Sequence, residues 1–143
     1  MINAVGVPAQ EVLTQGTILF STDRVRSRRG DACAGGWLVH DAGSGQFTLV
    51  NNGCSCEVFE IQFNTNLTSA TVGSLALVLQ ANGEAIGATE MDYTPATANI
   101  YESVSASTLV KVPRGASLTI TVKNISASSV LVKDANIIIQ KVA

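Results

Sequence analysis

Histidine, aromatic rings and charge are all scarce in this chain, and each shortage closes off a class of function. His40 is the only histidine, so any Ser-His-Asp arrangement would have to use it. It sits beside Asp41 before the Gly43–Gly45 turn, a composition that reads as a solvated loop pair. Aromatic residues make up 5% of the chain, which leaves few stacking platforms for a ligand. Trp37, Tyr93 and Tyr101 are the candidates, and Trp37 is equally suited to plug one end of a sheet sandwich. Charged residues make up 14%, with a net charge of −2, so no global field draws the chain to nucleic acid or anionic membrane. No apolar run approaches the roughly 20 residues that span a bilayer. The start, "MINAVGVPAQEVL", lacks the basic region and apolar core of a secretory signal. The expectation is synthesis in a cytoplasm, with exit by lysis or as part of a particle.

Apolar residues are abundant, at 46%. With so little charge to cover the surface, part of that apolar area is expected to be buried against copies of the chain or a partner. The apolar period is two almost everywhere, which predicts strands. In "EVFEIQFNTN" Phe59, Ile61 and Phe63 share one face. Leu75, Leu77 and Leu79 do so in "GSLALVLQANG", and Leu118, Ile120 and Val122 in "ASLTITVKN". Asn82-Gly83 predicts a tight hairpin, and Pro113-Arg114-Gly115 a turn. No stretch has capped helical periodicity. Eight to ten strands at this spacing imply a sandwich. In "DANIIIQKVA" three isoleucines run together, Ile137, Ile138 and Ile139. Apolar character on both faces places that strand centrally, with a second cover outside the core. All three isoleucines are candidates for a subunit interface.

The cysteines invite a metal reading. Cys54-Ser55-Cys56, Cys33 and His40 could supply four ligands, but structural zinc sites use two close pairs. Alternation instead puts Cys54 and Cys56 on one face at the start of the Glu57–Asn64 strand, as buried or semi-buried free thiols filling small sites. A disulfide to Cys33 is the lesser alternative, weakened by the odd cysteine count. No cofactor and no metal are implied. Glu57 and Glu60 fall on opposite strand faces, Glu90 and Asp92 share a face in an exposed loop, and no nucleophile constellation or phosphate loop is evident. The chain is therefore read as non-enzymatic. "DRVRSRRGD" holds four of the five arginines, Arg24, Arg26, Arg28 and Arg29. Guanidinium forks suit an acidic partner, so these four are the candidate docking residues. No aromatics interleave with them, which argues against nucleic acid. The Arg-Gly-Asp tripeptide and the two glycosylation triplets, at Asn66 and Asn124, read as chance. Residues 1–13, weakly periodic, read as an N-terminal arm that orders against a partner.

The ordered series "GTILFSTDRV", "GSGQFTLVNNG", "EIQFNTNLTSATVGSLALVLQANGEAIGAT", "STLVKVPRGASLTITVKNIS" and "VLVKDANIIIQKVA" resembles a known family. It is similar to the trimeric jelly-roll head that ends collagen-like spore-surface (exosporium) glycoproteins of Firmicutes, itself related in fold to tumour-necrosis-factor (TNF) and complement-type heads. The resemblance covers residues 14–143. It implies an all-β, ten-stranded Greek-key jelly roll, assembled as a homotrimer with one sheet face near the axis, and no catalytic residues. The sequence contains no Gly-x-y repeat, so the expectation is a head without a collagen-like stalk. Stand-alone heads of this kind resemble bacteriophage virion proteins, in capsid decoration or fibres. The partners implied are further copies of the chain and a capsid or other virion protein at the virion surface. A receptor or surface glycan, or a spore or cell surface, is the alternative.

Overall fold

The computed structural model describes residues 1–26 and 36–143. Twelve strands lie among them: β1 (Ile2–Gly6), β2 (Gln10–Val12), β3 (Thr22–Arg26), β4 (Leu38–Val39), β5 (Phe47–Val50), β6 (Glu57–Thr68), β7 (Leu75–Ala81), β8 (Glu84–Ala85), β9 (Met91–Tyr93), β10 (Glu102–Val112), β11 (Ser117–Asn124) and β12 (Val130–Lys141). The count passes the expected ten because several are pairings of only two or three residues. One sheet runs β10-β6-β12-β1-β3, with β2 also on β12; the other runs β4-β5-β11-β7-β8, with β9 on β7. All pairings are antiparallel. The chain changes sheet six times, from β3 to β4 and at β5–β6, β6–β7, β9–β10, β10–β11 and β11–β12, the wiring of a jelly roll.

Alternation decides which side chains fill the core. Phe59, Ile61 and Phe63 from β6 meet Leu75, Leu77 and Leu79 from β7 and Ile120 and Val122 from β11, all buried. Phe20 packs edge-on against Phe47 and Phe63, with ring centroids 5.2 and 6.3 Å apart, the favoured geometry for aromatic pairs. The β7–β8 hairpin turns at Asn82 and Gly83, with φ of 51° and 83°. Two consecutive positive φ angles are what Asn-Gly tolerates.

The N-terminal segment is not an arm. Ile2–Gly6 pairs with Ile139–Ala135 of β12 on one side and with β3 on the other, and Gln10–Val12 pairs with Val132–Val130. A bulge in β12 separates the two docking stretches. Asp134, at φ 54°, is the extra residue between Lys133 and Asn136 opposite β6. It swings the strand so that β2 serves one end and β1 the other. Short, Gly- and Pro-interrupted strands carry too little periodicity to be read alone, and their order comes from the long partner strand.

β12 is central, as its three isoleucines imply, but they do not act together. Ile137 and Ile139 are 0% exposed and belong to the core. Only Ile138 is on the opposite face, among Leu131, Lys133, Asn136 and Gln140, all partly exposed. That face is mixed rather than apolar, so the interface assignment of Ile137 and Ile139 is corrected.

Candidate functional site

The broadest feature outside the core is the outer face of the β10-β6-β12-β1-β3 sheet. Register lines up Ser107, Gln62, Ile138, Asn3 and Val25 in one row. The next row holds Ser105, Asn64 and Asn136. Neighbouring amides are joined: Asn3 Nδ2 donates to Asn136 Oδ1, and Asn136 Nδ2 donates to Asn64 Oδ1 at 3.1 Å. On the other side of Ile138, Glu60 accepts from Gln62 Nε2 at 2.9 Å and Gln140 Nε2 at 2.5 Å. These bonds, Gln62's first, hold the Glu60 carboxyl below the ordinary glutamate range, because they favour its charged form. Gln62, Asn64, Ser105, Ser107, Asn136 and Ile138 line an open depression of about 410 Å³.

Charge on this face lies mostly toward its ends; the exception is Glu60, beside Ile138, which Gln62 and Gln140 hold. Lys133 and Asp134 lie toward one end of β6 and β12, and Lys111 toward the other end of β10. Leu109 and Val25, 62% and 46% exposed, flank the centre. The other sheet is different. Val78 and Gln80 on the outward side of β7 are buried, and the Ile86–Thr89 segment folds back on that strand through Ile86 N to Leu79 O and Thr89 Oγ1 to Leu79 O.

The arginine cluster is not one surface. Arg24 is the bulge residue of β3, unpaired between the partners of Asn3 and Ala4, and is exposed. The bulge breaks alternation, so Asp23 and Arg26 reach the same neighbour. Arg26 donates to the carbonyls of His40 at 3.0 Å and Leu38 at 3.1 Å, and lies 3.4 Å from Asp23. It clips β3 to the β4 segment and is withdrawn from docking. Arg28 and Arg29, with the Arg-Gly-Asp tripeptide, lie outside the described residues.

His40 is buried, not a solvated loop residue. Its ring stacks on Phe47 with centroids 4.0 Å apart. Nδ1 lies 2.9 Å from Asp23 Oδ1, and Nε2 lies 3.2 Å from Ser44 O. Alternation could not find this, because the Asp23 contact depends on the β3 bulge. The ring fixes a corner of the sandwich, and among the described residues no serine nucleophile is placed at it.

The aromatic candidates are not brought together. Trp37 is buried against Phe59 at the Glu57 end of β6, 5.1 Å between centroids, and plugs that end. Tyr101 lies at the far end, under Lys133 Nζ at 4.2 Å, and Tyr93 donates to Ile100 O at 2.9 Å. Glu90 and Asp92 are exposed as expected. A hydrogen bond to Asp92, then its charge, raises the Glu90 carboxyl above its usual range. Cys54 and Cys56 correct the sequence expectation: both are free and exposed, because the alternating strand begins only at Glu57. Cys33 lies outside the described residues.

Sequence reasoning missed two asparagines that hold opposite ends of the sandwich. Asn51 and Asn124 are both 0% exposed. Asn51 Oδ1 accepts from Gly53 N at 2.9 Å, and its Nδ2 donates to Ser55 O and Val112 O, both at 2.8 Å. Asn124 repeats the pattern with Ser126 N at 2.9 Å, and Ser128 O and Val12 O at 3.0 Å. Each amide closes a loop on itself and ties it to a distant strand. The glycosylation triplet at Asn124 is therefore inaccessible in the folded chain.

No family model and no curated protein matches the chain. Solved structures do. The globular domain of zebrafish complement 1qA protein superposes with a TM-score of 0.58 at 10% identity, over 96% of this chain and 94% of that one. Eiger TNF from S. frugiperda gives 0.67 at 10% identity, over 99% and 92%. Murine APRIL gives 0.53 at 14%, over 95% of each. Likeness at such low identity speaks to the path of the chain and not to its ligands. The chain has the jelly-roll fold of the TNF and complement-type heads.

Proposed function

We propose that this chain is the protomer of a non-enzymatic homotrimeric surface head, joined through the outer face of the β10-β6-β12-β1-β3 sheet. The observation that carries the reading is the pattern of that face: a centre of Ile138, amides and hydroxyls whose one carboxylate, Glu60, is held by Gln62 and Gln140, with the other charges kept to its ends. Depletion of charge at the middle and a polar rim are the marks of a protein interface. Closed symmetry buries such a face in a finite assembly. Light scattering at micromolar concentration is expected to give three times 14.9 kDa; a monomer would refute the trimer. A second reading rests on the same face. Its depression, lined by amides and hydroxyls, suits a neutral polyhydroxylated ligand such as a surface glycan. A monomer that binds glycans would favour it.

The larger role we assign is attachment to a bigger assembly, as a virion component of the capsid-decoration or head-fibre kind; a spore-surface head is the alternative setting. The support is the likeness of stand-alone heads to virion proteins and the low charge of the chain. Arg24, Arg28 and Arg29 are the docking candidates that remain once Arg26 is assigned to the fold. Single exposed ion pairs contribute about 0–1 kcal/mol, but threefold repetition makes later contacts intramolecular. Replacing these three arginines with serine is expected to leave the oligomer intact and weaken its retention on purified particles, most at raised salt, where charge is screened. Unchanged retention would place docking elsewhere.

A further inference from the structure

We propose that Cys54 and Cys56 form a two-thiolate site for a soft, two-coordinate cation of the Cu(I) type. Both thiols are free and exposed, on a loop that the buried Asn51 amide holds in place. Its bonds to Gly53 N and Ser55 O span the bend from within, and the bond to Val112 O anchors it to β10. Ser55 therefore turns its carbonyl inward, and the residue on each side of it carries a thiol. Two positions along a chain are at most about 7 Å apart between Cα atoms. Two metal–thiolate bonds of about 2.3 Å each span less than that, so two thiols at this spacing are within reach of one ion.

An ion pair lies under the loop. Glu57 follows Cys56 directly and lies buried under the loop. Gly53 passes so close that a Cβ there would fall 2.7 Å from Glu57 Oε1. That oxygen meets Lys141 Nζ at 2.8 Å, while Oε2 is buried with no hydrogen-bond partner among the described residues. Lys141 answers the charge of that carboxylate, so the site rests on the two sulfurs. Coordination number then selects the ion. Among the described residues no His, Cys, Asp or Glu joins the pair to make a group of three, whereas zinc takes four ligands. Soft thiolates select Cu(I), a closed-shell ion content with two. Binding forms two Cu–S bonds and releases the two thiol protons to water, with no change of oxidation state. The sequence expectation of inert thiols rested on burial, which the fold does not provide. The inference does not depend on the oligomeric state.

The test uses the full chain carrying Cys33→Ser, so that only this pair is available. Cu(I) is supplied without oxygen in competition with bicinchoninate, whose colour reports the copper it retains. The protein is expected to withdraw one Cu(I) per chain. Adding Cys54→Ser or Cys56→Ser should each lower apparent affinity by roughly 100-fold or more, the gain that an intramolecular second contact gives over a single one. Both positions are exposed, so circular dichroism should show the fold retained. No withdrawal of Cu(I), or single variants that keep the parent's affinity, would overturn the proposal.

Discussion

Ile138→Asp is expected to yield a folded monomer, and Ile137→Asp an unfolded chain. The two residues are adjacent on β12 and chemically identical, so the contrast isolates the face. At Ile137, 0% exposed in the core, a carboxylate has no partner. Leaving it ionised there, or protonating it, costs several kcal/mol, a large share of the 5–15 kcal/mol that holds an ordinary domain together. At Ile138 the new carboxylate is solvated in a lone protomer, among Asn3, Gln62 and Asn136. It is desolvated only when a second copy covers the face, and Glu60 nearby adds like charge. Light scattering should report one chain's mass for Ile138→Asp, with the wild-type circular dichroism spectrum. A variant that remains trimeric would remove this sheet face from the interface.

Asn124→Ala should be the most damaging substitution of a polar residue for its size. The side chain makes three hydrogen bonds, to Ser126 N, Ser128 O and Val12 O. Truncation leaves those three backbone groups without their partner in a site closed to water. Each buried group so stranded costs about 1–3 kcal/mol, so a loss of about 3–5 kcal/mol is expected after relaxation, measured by urea unfolding. Asn124→Asp tests the mechanism. An aspartate keeps the size and the acceptor for Ser126 N but offers no N–H to Val12 O and Ser128 O. It should therefore be nearly as destabilising. If Asn124→Asp is neutral, the donated bonds are not what holds this end.

Legibility in the sequence followed the length of each strand. β6, β7 and β11 have several alternating apolar positions apiece, and their inward faces read correctly. The Asn82-Gly83 turn reads from its backbone preference alone. Two of the errors fall where a bulge resets the alternation. Arg24 in β3 and Asp134 in β12 each insert one residue, and period-two counting cannot see an insertion. The first bulge redirected Arg26 and Asp23 to His40. The second gave the segment before Val12 two places to pair. The candidate interface was legible only as a strand: three isoleucines marked β12, but which of them faces outward depends on phase, set by the bulge. Asn51 and Asn124 look like ordinary loop residues in sequence, because their worth lies in carbonyls 61 and 112 positions away.

The pairing of β1 with β12 also sets an order of events during synthesis. Asn3 is hydrogen-bonded to residues 133 and 134 positions later in the chain. At roughly 5–20 residues per second, the ribosome needs about 7–27 s to make that partner after β1 has emerged. In the interval β1 has only β3 beside it, and the edge that β12 will cover stays open to any other extended chain. Neighbouring nascent chains on one message present the same open edge together, so the yield of soluble protein should depend on how quickly translation reaches Ala135–Ile139. Slow codons before Val130 would then lower that yield without altering a single residue of the finished fold.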